Sequence, residues 1–385
     1  MKIIYVSTYP PRACGIATFA RDLINTIEKV SPKIVSEIVA VNQDGGSYDY
    51  EPRVKFQIKA DDETEYFKLA SLINDSEADL VNIQHEFGIY GGSRGEYILS
   101  LLRTIKKPVI TTLHTIVPQS SQVEKTIIRD IINYSTYVIV MAKKAVQILK
   151  KVYRVSTQKI RVIPHGAPGT TKVLNYTLDE FLAEYSDRTI ISTFGLIGEG
   201  KGLEYVIMAM PEVVKKYPTA TYFVIGQTHP EIIKREGERY RLKLAELIKD
   251  LKLENNVKFL NKYLTLEEII HCLQVTDIYI TPYLNPDQIT SGTLAYALSC
   301  GKAIISTPYL YAEEVLASGR GLLVKFKDPG STSLAINMIL GDKKLKKNME
   351  KKVYAYSRKM LWPNVGKKYF ELFKRGVKIK IWGKK

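Results

Sequence analysis

Short apolar runs recur along the chain, each followed by a glycine- or proline-bearing loop and then by a stretch whose apolar positions fall three or four apart. A brief continuous run followed by a helical period predicts parallel strands joined by crossover helices. In the first half the pattern predicts strands at 2–6, 35–41, 54–58, 80–84, 109–113, 137–140 and 161–163, with helices at 17–30, 64–75, 127–133 and 142–152. It fades over 167–188, which reads as a connector, and then restarts. Strands at 189–194, 222–225, 257–260, 278–280, 303–306 and 322–324 alternate with helices at 203–217, 235–251, 266–274, 294–299, 313–317 and 331–340. Two Rossmann-like α/β halves are expected, with a ligand cleft between facing sheet edges. Open parallel sheets bind ligands beyond the carboxyl ends of their strands.

Composition sharpens this picture only in places. A chain of 385 residues is long for one core, and 45% hydrophobic with 25% charged residues is ordinary for a soluble protein. Three widely spaced cysteines, Cys14, Cys272 and Cys300, give neither a disulfide framework nor a metal-binding spacing. No apolar run is long enough to span a bilayer, and Met1–Val6 is too short for a signal segment, so a cytoplasmic location is expected. The net charge of +16 is concentrated at one end. Residues 341–385 hold 14 lysines and 2 arginines against 3 acidic residues, which is +13 of the total.

The stretch from Asp277 to Thr307 carries the densest chemistry. A strand leads into a polar loop with Pro282, Asp287 and Gln288, and Thr290 or Ser291 is placed to cap a helix. Gly292 allows a ligand close to the backbone. The free N–H groups at Ser291, Gly292 and Thr293 and the positive end of the helix suit a phosphate. A second loop, Gly195-Leu196-Ile197-Gly198-Glu199-Gly200-Lys201-Gly202, also follows a strand and opens a helix. It matches neither the Walker loop nor the dinucleotide fingerprint, but four glycines and Lys201 suit a diphosphate.

His85 and His114 follow predicted strand ends in the first half, with Glu86 beside the former. Each histidine reads equally as a core residue or as a ligand contact, and Glu86 as an acceptor contact or a solvated charge. His85, Glu86 and His114 lack the spacing of a metal site, and no metal is expected.

The order Gly195…Lys201-Gly202, then Leu294-Ala295-Tyr296-Ala297-Leu298-Ser299-Cys300-Gly301-Lys302, Glu313-Glu314 and Gly319-Arg320-Gly321-Leu322-Leu323-Val324 resembles the nucleotide-sugar half of GT-B glycosyltransferases. The nearest likeness is to the retaining family 4, the group of sucrose synthases and mannosyltransferases. Gly15 in the first loop, Thr112-Leu113-His114-Thr115 and Val162-Ile163-Pro164-His165-Gly166 extend the resemblance through the first half, and Ser357–Phe373 with Trp362 resembles the closing helices. Four positions, in three places, depart from the family pattern. Gln288 and Tyr296 stand where a pair of glutamates is usual, Leu196 stands for an arginine, and His165 for an asparagine.

The resemblance implies a GT-B fold with an acceptor domain at 1–170, a nucleotide-sugar domain at 171–345, and a segment 346–385 packing back on the first domain. It implies transfer of a hexose, in one variant mannose, from a nucleoside diphosphate sugar to a hydroxyl of a glycan, a lipid-linked or a small-molecule acceptor, with retention and without a required metal or other cofactor. His114 and Lys201 would be catalytic. Gly15, Gly195, Tyr263, Gln288, Ser291, Gly292, Thr293 and Glu314 (or Glu313) would bind the donor, and His85, Glu86 and Asp287 the sugar or acceptor. The alternatives are a GT-B epimerase or phosphorylase, or a binding module without turnover. The basic tail, in which Val377–Trp382 alternates apolar with basic residues as an extended strand with one apolar and one basic face would, reads as a solvated surface or as an attachment to an anionic membrane, peripheral on its inner face. No nucleic-acid recognition module accompanies it.

Overall fold

The computed structural model describes residues 1–43, 48–170 and 183–382. The chain forms two compact units, Met1–Gly166 with Trp362–Lys385, and Ala167–Leu361. The connector expected at 167–188 falls partly outside the described residues, at 171–182.

In the first unit seven strands form a parallel sheet: β1 (Lys2–Ser7), β2 (Val35–Asn42), β3 (Val54–Lys59), β4 (Leu80–His85), β5 (Val109–Leu113), β6 (Tyr137–Val140) and β7 (Ile160–Val162). Their order is β3-β2-β1-β4-β5-β6-β7, so β1 and β4 lie side by side where the winding reverses. Residues Leu80–His85 are buried throughout, as expected of an interior strand covered on both faces. The helix Ile98–Thr104 lies in a stretch that the sequence pattern left unassigned.

The second unit repeats the plan with β8 (Thr189–Phe194), β9 (Ala220–Ile225), β10 (Val257–Leu260), β11 (Ile278–Thr281), β12 (Ala303–Ser306) and β13 (Leu322–Leu323). Its order is β10-β9-β8-β11-β12-β13, all parallel. The helix expected at 235–251 is two helices, Pro230–Glu236 and Arg239–Asp250, because Gly237 at φ 62° breaks the run.

The basic segment divides differently from expectation. Residues 346–361 stay with the second unit: the helix Lys343–Ser357 puts Met349 against β12, where its sulfur accepts from Ile304 N–H at 3.4 Å, and pairs Lys346 with Asp277. Only from Trp362 does the chain belong to the first unit, as a single helix Trp362–Trp382 rather than an extended 377–382. Val365, Tyr369, Leu372 and Phe373 recur at helical spacing and are buried in the core beside Phe19, Leu23 and Ile27 of the helix Gly15–Val30. Gly366 permits this approach, since a Cβ there would meet Thr26 Cγ2 at 2.3 Å. The helix begins against Gly166, just after β7. It passes Leu80 and Ile110, near the amino ends of β4 and β5, at Gly376. It therefore runs from the carboxyl to the amino ends of the strands.

Candidate functional site

In the second unit the sequence-selected glycines and Lys201 meet the start of the helix Gly292–Ser299. Beyond β8 the chain turns at Gly195, with φ 138°, and a Cβ there would touch Thr293 Cγ2 at 3.4 Å. Gly195 N–H donates to Ile225 O at 3.0 Å, and Gly226, with φ 129°, lies so close that a Cβ would sit 2.1 Å from Gly195 O. The loop then forms a turn at Glu199–Lys201 that closes on Gly202, where φ is 64° and a Cβ would meet Pro282 O at 2.3 Å. Leu284 N–H donates to Gly200 O at 3.0 Å. The glycine loop is thus seated on the loop that follows β11, and side chains at these positions would hold the two apart.

That seating places the Lys201 ammonium 4.0 Å from the centroid of the Tyr283 ring. Tyr283 is buried, stacks on Tyr309 with centroids 5.4 Å apart, and its hydroxyl shares a 2.6 Å hydrogen bond with Thr293 Oγ1. Ser291 caps the helix: its Oγ accepts from Leu294 N–H at 3.2 Å and lies 3.2 Å from Thr293 Oγ1. Ser291 O accepts from Ala295 N–H. The N–H groups of Gly292 and Thr293 remain at the mouth of the helix, next to a lysine and a glycine-lined approach. This arrangement can hold an anion with two or more oxygens.

Among the other expected donor residues, Gln288 spends its amide on its own loop, donating to Thr290 O at 2.9 Å. Asp287 N–H donates to Asn285 Oδ1 at 3.0 Å, within the same loop. This loop is tied to the helix Leu310–Leu316, whose Leu310 and Tyr311 N–H groups donate to Pro286 O and Gln288 O. Glu314 lies on that helix, and Arg320 closes its end by donating to the carbonyls of Glu314 and Val315. Tyr296, in place of a carboxylate, is buried with its ring 6.3 Å from that of Phe194. Tyr263 is 48% exposed beyond β10. Gly15 belongs to the first unit, where it opens the helix Gly15–Val30, and a Cβ there would touch nothing within 4 Å.

In the first unit the two histidines are interior. His85 ends β4 with 0% exposure, and neither ring nitrogen has a partner. Phe87 meets it edge-on and Tyr90 stacks on it, with centroids 5.2 and 6.0 Å away. The expected direct contact of His85 with sugar or acceptor is therefore corrected: a residue closing an interior strand under two aromatic rings presents no surface. His114 is 5% exposed; its N–H donates to His85 O, and its ring stands edge-on to Phe19 at 4.9 Å. Desolvation holds both imidazoles neutral, pushing each down to about 3, with His165 and His85 adding to the effect at His114. Glu86 is shifted the other way: burial raises its carboxyl, while a hydrogen bond from Thr115 Oγ1 opposes the rise. Among the described residues no group of three or more His, Cys, Asp or Glu is arranged to hold a metal.

Three residues that the sequence reading did not select complete these groups. Tyr283 carries Lys201. Asn82 and Gln84 connect to His114, whose Nε2 lies 2.9 Å from Gln84 Oε1.

Comparison with known proteins agrees with this fold. The family model described as glycosyl transferases group 1 matches residues 177–356, and that described as Glycosyltransferase Family 4 matches residues 15–168. An uncharacterised glycosyltransferase of Methanocaldococcus jannaschii is 24% identical over 260 residues, 66% of this chain; the match spans 62% of that relative's length. Among solved structures, a glycosyltransferase from Rickettsia africae is 18% identical with a TM-score of 0.76, over 98% of this chain and 99% of that one. Sucrose-phosphate synthase from Thermosynechococcus elongatus is 15% identical with a TM-score of 0.77, over 97% and 99%. Anabaena HepE, solved in complex with UDP and glucose, is 16% identical with a TM-score of 0.75, over 97% and 100%.

Two parallel-sheet units of this strand order define an α/β protein of the GT-B fold. The chain belongs to the family 4-like glycosyltransferases of that fold.

Proposed function

We propose that the chain transfers a hexose from a nucleoside diphosphate sugar to an acceptor hydroxyl with retention of configuration. The observation that carries this reading is the convergence of Lys201, the Gly195 turn and the Gly292–Thr293 N–H groups at one place in the second unit. As the glycosidic bond to the diphosphate breaks, negative charge grows on the β-phosphate oxygens. Donors fixed before the reaction stabilise that charge without reorganising. Lys201 would leave its cation–π contact, worth roughly 1 kcal/mol, for a charge-assisted bond to phosphate. In this reading the departing phosphate takes the acceptor proton, so no separate strong base is needed. Glu314 would hold ribose hydroxyls, and Tyr263 would lie along the base.

His114 stays neutral in its buried setting, so at pH 7 it serves as a hydrogen-bonding group and not as a cationic acid. In the resemblance it contacts the transferred sugar. The acceptor is proposed to be a sugar, a lipid-linked glycan or a small molecule bearing a hydroxyl. For a lipid-linked acceptor, the basic outward side of the helix Trp362–Trp382 would add attraction to an anionic membrane. No helix among the described residues is long and apolar enough to cross one.

A second reading is favoured by one observation: Gln288 replaces a carboxylate and its amide is already engaged with Thr290 O. A GT-B module that binds a nucleotide sugar without turning it over would fit that loss. The two readings part when nucleoside diphosphate release is measured with and without candidate acceptors. Acceptor-dependent release supports transfer, whereas donor binding with no release under any acceptor supports the binding module.

A further inference from the structure

Two polar side chains inside the first unit point at His114 through a directed chain of hydrogen bonds. Asn82 and Gln84 alternate on one face of β4 and are both 0% exposed. Asn82 Nδ2 donates to Ile110 O at 2.9 Å, Gln84 Nε2 donates to Asn82 Oδ1 at 2.6 Å, and Gln84 Oε1 lies 2.9 Å from His114 Nε2.

The direction of this chain does not depend on how either amide is drawn, because its far end is a backbone carbonyl. Ile110 O can only accept, so the Asn82 atom facing it must be the NH2 group. Asn82 then offers its oxygen to Gln84, which must answer with its own NH2 group. Gln84 is left with its oxygen toward His114, so Nε2 of the ring must carry the proton. Turning either amide would place two acceptors face to face in a site without exposure, where each lost partner goes uncompensated. The remaining nitrogen, Nδ1, is the unprotonated one in a neutral ring, and it makes no hydrogen bond among the described residues.

We propose that Asn82 and Gln84 are positioning residues that fix His114 as its Nε2-protonated tautomer and so present Nδ1 purely as an acceptor. A ligand group at Nδ1 must then be a donor, a hydroxyl or N–H, and an ether or carbonyl oxygen there is refused. The tautomer assignment stands on the hydrogen bonds alone. Its consequence for a sugar hydroxyl rests on the transferase reading above.

The test is imidazole 15N NMR on the full chain, with Gln84→Met as the variant that keeps length and removes the acceptor. In the wild type His114 is expected as one tautomer, with a proton on Nε2 that exchanges slowly with water. Loss of the buried acceptor is expected to speed that exchange by ~10-fold or more and to give a mixture of tautomers. A wild-type spectrum with the proton on Nδ1 overturns the proposal whether or not the variant folds. An unchanged tautomer and exchange rate in folded Gln84→Met overturns it as well. Addition of a nucleoside diphosphate sugar supplies a separate arm. A shift of the His114 Nδ1 resonance supports the ligand contact. Failure of every donor to bind refutes the transferase reading and leaves the tautomer assignment to stand or fall on the first two spectra.

Discussion

The ammonium of Lys201 rests 4.0 Å above the ring of Tyr283, and the hydroxyl of that same ring bonds Thr293 at the mouth of the helix Gly292–Ser299. One buried tyrosine thus links the mobile positive charge of the glycine loop to the N–H groups that would share a phosphate with it. Lys201→Ala is expected to lower turnover by about a hundredfold, as removal of one preformed donor typically does. Tyr283→Phe keeps the ring and is expected to cost less than tenfold, about 1 kcal/mol for one hydrogen bond. Steady-state kinetics check both; a Lys201→Ala enzyme with normal kcat removes the lysine from the mechanism.

Gly226→Ala tests whether the glycine loop needs its close approach. Its Cβ would lie 2.1 Å from Gly195 O on a backbone at φ 129°. The steric clash and the disfavoured conformation together are expected to cost about 3 kcal/mol or more. Gly200→Ala is the control, since a Cβ there meets nothing within 4 Å. Urea unfolding of the two variants should separate them clearly, and equal midpoints would contradict the packing described for this loop.

Buried neutral histidines make the first unit sensitive to acid. Desolvation pushes His85 and His114 down to about 3 and His165 to about 4, below the ordinary value near 6.5. The unfolded chain takes up protons first, so stability is complete above about pH 6.5 and falls as pH drops toward 4. Each histidine contributes about 1.4 kcal/mol per pH unit within that window. Trp362 is buried in the core of the first unit, so its fluorescence reports the unfolding of that unit. Urea midpoints should fall between pH 6.5 and 5, and His85→Phe should remove one proton's share of the slope. A flat profile would contradict the neutral buried rings.

The strands and their order of appearance were legible because short continuous apolar runs mark interior parallel strands. The glycine loop and the capped helix were legible through residue types with few other uses. Tyr283 was not, because one tyrosine in a chain holding 25 gives no local sign that a lysine will lie over it. Asn82 and Gln84 did leave a sign: two amides at alternate positions of an otherwise apolar run, Leu80-Val81-Asn82-Ile83-Gln84, demand buried partners. His85 misled because a strand-end histidine reads alike whether the loop beyond it leaves the ring open or covers it. The tail misled for a similar reason. Val377–Trp382 alternates like a strand, yet it continues a helix already fixed in the core by Val365, Tyr369 and Phe373.

That helix presents Lys367, Lys368, Arg375 and Lys378 outward while its apolar side is consumed by packing. Any membrane attachment through it is therefore electrostatic, worth about 1 kcal/mol per basic residue near the surface and screened by salt. Co-sedimentation should require anionic lipid, weaken at ~0.5 M salt, and be lost when these four residues are changed to glutamate. Equal binding to neutral vesicles, or none to anionic ones, would leave a soluble acceptor.

The central claim is that the second unit holds a nucleoside diphosphate sugar at the Lys201 loop. Calorimetric titration of the full chain with GDP-mannose, UDP-glucose, UDP-galactose and ADP-glucose tests it directly. The account predicts saturable binding of at least one donor, weakened ~10-fold or more in folded Lys201→Ala through loss of a charge-assisted bond. No binding of any donor to the folded wild type, or equal binding by the variant, would contradict it.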